Sequence, residues 1–466
     1  MPVLRISRLA FYGLCTGLAA CASPPAAPPD PALPAAYTGL HQPAVAGAAV
    51  PNLDTLFADP HLRRLIQTAI AHNRDLKLAA ARVAEAAALY DIQEVGNRPG
   101  IELGVSGTRS RTPADLSLSG RSTIGGQYRA GATLLLYEID FWGRVRSLNE
   151  AALAQYLASH EARQAFETSL VALVANTHLQ AREFEERIAL ARKTLISREE
   201  SYRIMRRRTE VGASSDLELR QVESLLVSTR GELAALEREA ARNGAVLAQL
   251  VGHQALPTQP PLSLAEQGLE GELPPGLPAE LLTRRPDIRA AEQRLSGANA
   301  SIRAARAAFL PNITLTGFAG ASSAELDGLF QGGSGTWSFT PALRLPLFDG
   351  GRTQANLNLA EARKLVAIAD YEATIQNAFR EVAEALAAQR WLAVQVREQT
   401  ALVTAEAERA RLAGLRFERG ASSYLDVLDA ERALFAAEQA LVQLRRARMS
   451  STVNLYRALG GHQAGA

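Results

Sequence analysis

Two cysteines in 466 residues, Cys15 and Cys21, exclude a disulfide framework and a thiolate metal site. Charge of one sign is also missing: 50 Lys and Arg stand against 48 Asp and Glu, so the basic footprint of a nucleic-acid binder is absent. Aromatics make up only 6%. After the N-terminal leader, no apolar run approaches the roughly 20 residues of a membrane-spanning helix, so any bilayer crossing by the body has to use strands. The seven histidines, at 41, 61, 72, 160, 178, 253 and 462, show no ligand spacing. The run Gly332 to Gly335 lacks the lysine and the following helix of a phosphate cradle and reads as a hairpin loop. No nucleophile, base and orienting group come together, which points away from an enzyme and from any bound metal or cofactor.

Ala, Leu, Arg, Glu and Gln dominate, the composition of long helices. Proline is absent from Arg144 to Thr209 and from Phe348 to the C-terminus. At ~1.5 Å per residue, a helix from Arg144 reaches on the order of 100 Å. The chain is also written twice. Gly143 and Arg144 recur 208 residues later as Gly351 and Arg352, Gly212 as Gly420, Leu217 as Leu425, and Gly252 as Gly460. Upstream the spacing becomes 212, with Asp75 matching Asp287 and Pro99 matching Pro311. One architectural unit therefore occurs twice, and a hairpin of helices this long needs neighbours alongside it.

Each copy opens with a helix, Asp59 to Val95 in the first, on a stripe formed by Leu62, Leu65, Ile66, Ala69 and Ile70. The period then changes to two. Ile101, Leu103 and Val105 alternate with polar or small residues, Tyr128, Ala130, Ala132, Leu134 and Leu136 keep one parity, and Trp337, Phe339, Leu343 and Leu345 share a face. These strands are about the length that a tilted membrane strand needs. Hairpins lying on a soluble core satisfy the same pattern, and Pro341 is discordant in a ladder. A long helix, a glycine turn and a returning helix follow, with Gly231 and Gly244 as points where the return can break.

The first twenty residues carry Arg5 and Arg8 and then an apolar run, as a secretory signal does. The signal ends Leu18-Ala19-Ala20-Cys21, which resembles a bacterial lipoprotein processing box with Cys21 as the acylated first residue. An ordinary signal with an incidental cysteine is the plainer reading. Ala22 is not the aspartate that favours inner-membrane retention in such lipoproteins. The organisation read from the sequence is signal 1–20, lipidated Pro-rich tether 21–52, first repeat 53–256, inter-repeat linker 257–286 and second repeat 287–466.

The stretch Leu277 to Glu292, LPAELLTRRPDIRAAE, resembles the signature of TolC-like outer-membrane efflux proteins. So do Leu347-Phe348-Asp349-Gly350-Gly351-Arg352 and Arg419 to Asp429, RGASSYLDVLD. Lipobox and tether place the chain with the acylated branch, similar to OprM and the NodT-type lipoproteins. The resemblance implies a mainly α protein with membrane β: a homotrimer whose chains each give four strands to one 12-stranded transmembrane barrel, continuous with a long helical periplasmic tunnel. It also implies a passive channel for small molecules in the cell outer membrane, working with a periplasmic adaptor (membrane fusion protein) and an inner-membrane pump of RND type, with covalent lipid at Cys21 the only attached group. Independently of any family, four strands cannot close a barrel, so the channel reading requires an oligomer. A periplasmic adaptor and a structural helical-hairpin lipoprotein are the rival readings, each lacking two amphipathic strand pairs.

Residue by residue, the resemblance marks Asp426 and Asp429 as constriction aspartates just beyond the tip glycine. They lie three apart on a helix and share a face, which a trimer turns into two rings of carboxylates. Without the resemblance they read as a solvated face. Tyr424 and Arg432 are candidate latch partners of this periplasmic gate. Gly212, Ala213 and Ser214 in the first copy, and Gly420, Ala421 and Ser422 in the second, are the candidate adaptor-contact tips; as plain chemistry the two glycines are helix C-caps.

Overall fold

The computed structural model describes residues 51–118, 120–255, 260–269 and 280–461. The signal, Cys21, most of the tether and parts of the linker lie outside the described residues. Helices α1 (Leu53–Leu56), α2 (Pro60–His72) and α3 (Arg74–Val95) precede strands β1 (Ile101–Thr112) and β2 (Thr123–Ile139), then α4 (Arg144–Glu210) and α5 (Asp216–Leu250). The second half gives α6 (Glu280–Arg284), α7 (Pro286–Ala307), β3 (Asn312–Ser323), β4 (Gly335–Arg344), α8 (Arg352–Glu418) and α9 (Tyr424–Ala458). Helices α4 and α8 both have 67 residues, and α5 and α9 both have 35. Both pairs keep the 208-residue spacing at each end, so the duplication read from side chains is a duplication of backbone.

The chain packs as two compact units. One consists of Leu89–Gln155 and Glu292–Ala369 and holds an antiparallel sheet in the order β1-β2-β3-β4. Its register sorts the side chains by chemistry. Ile101, Leu103 and Val105 lie opposite Leu134, Ala132 and Ala130, which lie opposite Gly317, Ala319 and Ala321. Leu315, Gly317 and Ala319 face Pro341, Phe339 and Trp337 in turn. Every one of these positions is apolar or small. The alternate positions, among them Glu102, Ser106, Gln127, Arg129, Thr133, Thr316 and Thr340, are mostly polar, with Arg129 covering the Phe318 ring at 5.4 Å. Trp337 and Phe339 are 78% and 62% exposed, and Ile101, Leu103 and Val105 more than 70%. A sheet that leaves its apolar face this open has no protein partner among the described residues, and a bilayer supplies one.

Pro341 sits in β4, at the edge of the sheet, where a missing backbone donor is tolerated. A bulge between Leu134 and Tyr137 breaks the parity expected to run on to Leu136. Gly131 lies opposite Gly320, and a Cβ on either would fall within 2.5 Å of the neighbouring carbonyl, so two glycines let β2 and β3 close. At the return into helix, Asp140 accepts from the amides of Val145 and Arg146 at 3.0 and 2.7 Å, and Asp349 accepts from Gly351 and Thr353 at 3.0 and 2.8 Å. Carboxylates at these N-termini satisfy donors that would otherwise be orphaned.

The second unit comprises 51–88, Tyr156–Ala291 and 370–461. Its principal core joins Phe57, Leu62, Leu65 and Ile66 to Val174 and Leu179 of α4, Leu247 of α5, and Met449 and Val453 of α9. The helix expected over Asp59 to Val95 is two helices. Asn73 leaves the helical conformation with ψ 131°, accepts the amide of Leu76 at 2.9 Å and donates to the Leu250 carbonyl at 3.0 Å, so its side chain starts α3 while fastening it to α5. Conversely, α5 runs unbroken through Gly231 and Gly244. One glycine costs about 1 kcal/mol, less than the packing of Val222, Leu226, Leu236 and Leu247 on either side supplies. Among the described residues no helix is long and apolar enough to cross a membrane.

Candidate gate and docking tips

Each long helix ends in the same turn. Gly212 and Gly420 adopt φ of 74° and 70°, and the amides of Ala213 and Ala421 reach back to the carbonyls of Arg208 and Arg416, both at 2.8 Å. This is the left-handed C-cap that glycine permits at least cost. Beyond the adjoining residues, no heavy atom lies within 4 Å of the Cβ position of either glycine. Backbone conformation, not crowding, requires the residue.

Beyond the glycines the copies diverge. In the first, Ser215 caps α5 and Glu218 completes a capping box, accepting from the Ser215 amide at 3.0 Å and from the Ser214 hydroxyl. Those bonds hold the Glu218 carboxyl below its usual range. Asp426 stands at the corresponding position of the second copy, one methylene shorter, and no such box forms: Ser423 caps α9 without a side-chain hydrogen bond. The Ser422 hydroxyl, counterpart of Ser214, is buried with no partner. Shortening the acid by one carbon thus frees a carboxylate in the first turn of α9.

Asp429 is held instead. Its oxygens accept from Arg409 of α8 and Arg432 of α9, both at 2.6 Å, and the Arg409 bond keeps its carboxyl below the ordinary value. The counterpart in the first copy is Gln221, which carries no charge. Asp429 and Arg432 line a groove of about 340 Å³ with Arg220, Gln221, Ser224, Leu225, Leu425 and Leu428. Tyr424 packs its ring 4.9 Å from Phe417, and its hydroxyl bonds with Ser201. The structure therefore brings Asp426, Asp429, Arg432 and Tyr424 to one helix end, pairs Arg432 with Asp429, and turns Tyr424 towards its own chain. Behind them, Met205, Val222 and Leu428 form a small core.

Sequence reasoning did not find Arg409, because its partner lies on another helix, 20 residues away across a turn. It also missed a buried polar cluster in the helical unit. Asp59 Oδ2 lies 3.1 Å from His178 Nε2, accepts from Gln267 at 3.0 Å and from the Leu262 amide at 3.3 Å, and its other oxygen caps α2 through the amide of His61. The His61 ring stacks on His178 with centroids 5.5 Å apart. Among the described residues, no group of three or more His, Cys, Asp or Glu is placed to hold a metal ion.

A four-stranded sheet with one greasy, exposed face, joined in sequence to paired long helices, defines an outer-membrane channel subunit. The chain belongs to the outer membrane efflux protein family, whose model matches residues 65–253 and 277–461. It is similar to outer membrane protein OprJ of Pseudomonas aeruginosa, 44% identical over 421 residues, which are 89% of this chain and 87% of that protein. It is also 44% identical to the toluene efflux pump outer membrane protein TtgF of Pseudomonas putida over 424 residues, 91% of this chain and 88% of that one. The MtrE outer membrane channel of Neisseria gonorrhoeae, solved in its open state, superposes with a TM-score of 0.85 at 36% identity, covering 94% of this chain and 97% of its own. The protein is thus an outer-membrane efflux channel component with the TolC-type fold. Neither an adaptor nor a structural lipoprotein fits the sheet and the family together.

Proposed function

We propose that three copies of this chain close one 12-stranded barrel and that the assembly passively conducts small molecules outward when docked to a periplasmic adaptor and an RND-type inner-membrane pump. The observation that carries this reading is the sheet: four strands are too few to close, and both edges, β1 and β4, have no partner among the described residues. Exposed Leu365, Val366 and Trp391 on α8 supply apolar surface for a neighbouring copy. In this reading Asp426 and Asp429 narrow the passage, with Tyr424 and Arg432 as latch groups, and the two glycine turns with Ala213, Ser214, Ala421 and Ser422 meet the adaptor. Acylation of Cys21 anchors the N-terminus in the membrane. The protein supplies conduit and gate, and needs no cofactor or catalytic group of its own. TtgF is named for toluene efflux, and apolar solutes of that kind are suitable first substrates.

The test is planar-bilayer conductance of the detergent-extracted protein, with its mass measured in the same preparation. A trimer passing small, steady, cation-selective currents supports the reading. A monomer without conductance overturns it.

A further inference from the structure

The apolar face of the sheet carries two charges. Along β1 the residues of that face are Ile101, Leu103, Val105, Gly107, Arg109 and Arg111, all exposed. Arg109 lies opposite Gly126 and Arg111 opposite Ile124, both at the hairpin-loop end of β1, away from its junction with α3. No other paired position on this face, in any of the four strands, is charged. Neither guanidinium has a hydrogen bond or ion pair within the described residues, whereas Arg129 on the opposite face covers the Phe318 ring.

Order along the strand matters as much as composition. Three apolar residues come first. Tyr128 then lies across Gly107, so close that a Cβ on the glycine would fall 2.9 Å from the ring. The arginines follow. Apolar, aromatic and cationic levels in that order reproduce the passage from hydrocarbon through interface to headgroups. At ~3.4 Å per residue and a strand tilt of ~40°, Arg109 and Arg111 stand roughly 21 and 26 Å above Ile101, close to the ~25 Å height of an outer-membrane apolar band. An arginine facing lipid is expensive at mid-depth and nearly free at the interface, so this height is where the pair is tolerated. Two guanidinium forks on one face, two residues apart, match phosphate oxygens.

We infer that Arg109 and Arg111 form a binding site for the phosphorylated headgroup of an outer-leaflet glycolipid on the outside of the barrel. The inference rests on the closed trimeric barrel proposed above, with this face outward. It adds a lipid contact on the membrane side that the conducting path does not use.

Native mass spectrometry and thermal unfolding of the full-length trimer in phosphatidylcholine nanodiscs, with and without diphosphoryl lipid A, test it. Lipid A is expected to stay bound and raise the unfolding temperature of the wild type. Arg109→Gln with Arg111→Gln should weaken retention roughly tenfold or more, because each cation beside an anionic membrane surface strengthens the attraction several-fold. Arg203→Gln with Arg230→Gln, an equal charge loss on α4 and α5, should leave retention as in the wild type. Monophosphoryl lipid A should be held less tightly, and millimolar inorganic phosphate should not displace the lipid. Equal retention by wild type and the Arg109/Arg111 variant overturns the inference, as does equal loss in both double variants. The mass and conductance of the wild-type preparation report separately on the barrel: if no trimer forms, it is the channel assembly that fails.

Discussion

Asn73 and Arg285 occupy corresponding positions of the two copies, 212 residues apart, and make the same bond: Asn73 Nδ2 donates to the Leu250 carbonyl at 3.0 Å, and Arg285 Nη1 to the Ala458 carbonyl at 2.9 Å. Those two carbonyls are themselves counterparts, at the ends of α5 and α9. A neutral amide and a guanidinium thus fasten the start of one helix to the end of another in the same place. Arg285 has further duties, pairing with Asp287 at 2.5 Å and Glu381 at 2.9 Å while buried.

Removing the two side chains is therefore unequal. Arg285→Ala takes the cation from Asp287, leaves Glu381 with Arg457 alone at 3.4 Å and strands the Ala458 carbonyl, and should cost about 3 kcal/mol or more. Asn73→Ala loses a cap and one buried bond and should cost about 1–3 kcal/mol. Denaturant unfolding of the detergent-solubilised protein checks the order, and equal losses would contradict it.

The same pseudo-symmetry predicts the effect of adding a methyl group. Gly252 and Gly460 have φ of 70° and 95°, and a Cβ there would lie 2.6 Å from the His72 carbonyl oxygen and 2.8 Å from that of Arg284. Gly252→Ala and Gly460→Ala should each destabilise by more than the ~1 kcal/mol of a strained backbone alone. Gly212→Ala and Gly420→Ala, where the Cβ has open space, should cost only that strain. Thermal unfolding of the four variants separates the two classes.

At the proposed gate, the carboxylates differ in what holds them. Asp426 lacks the capping box of its counterpart Glu218, whereas Asp429 is neutralised by Arg409 and Arg432. Asp426→Asn should remove most of the block by multivalent cations. Asp429→Asn should release Arg432, leave Arg409 to Glu406 and weaken cation selectivity. Asp426→Ala with Asp429→Ala should raise conductance and abolish block, and unchanged block in bilayer recordings would remove these residues from the gate.

Acid should loosen the helical unit through Asp59 and His178. Burial holds the His178 imidazole below its ordinary 6.5. The unfolded chain therefore takes up a proton as pH falls through 6.5, before the folded one does, and stability declines from there downward. Burial alone would raise the Asp59 carboxyl, but bonds from His178, Gln267 and the His61 amide outweigh it and hold the group below its ordinary 3.8. Its contribution is complete above 3.8 and is lost as pH falls further. Unfolding temperatures measured from pH 8 to pH 4 should drop below pH 6.5, and His178→Ala should flatten the first part of that drop while lowering stability at pH 8.

Local chemistry made much of this legible in the sequence. The repeat, the two periods of apolar residues, the glycine C-caps and the absence of proline each act within a few neighbours, so they survive in a linear reading. Strand parity sufficed for the greasy face until the bulge after Leu134 moved Leu136 off it. The break at Asn73 was hidden, because an apolar stripe of helical spacing runs on both sides of it, and only the Leu250 carbonyl, 177 residues away, explains why the helix stops there.

What the tertiary structure alone decided were pairings between distant residues. Which glycines meet across β2 and β3, which arginines neutralise Asp429, and where the Asp59 carboxylate finds His178 depend on how elements pack, and spacing along the chain carries no record of it. The sequence by itself determined that the protein is a duplicated set of long helices with an amphipathic four-stranded sheet. Folding decided which of its charges are paired and which stand free, since an ion pair is a property of two positions in space, and a residue type states only one of them.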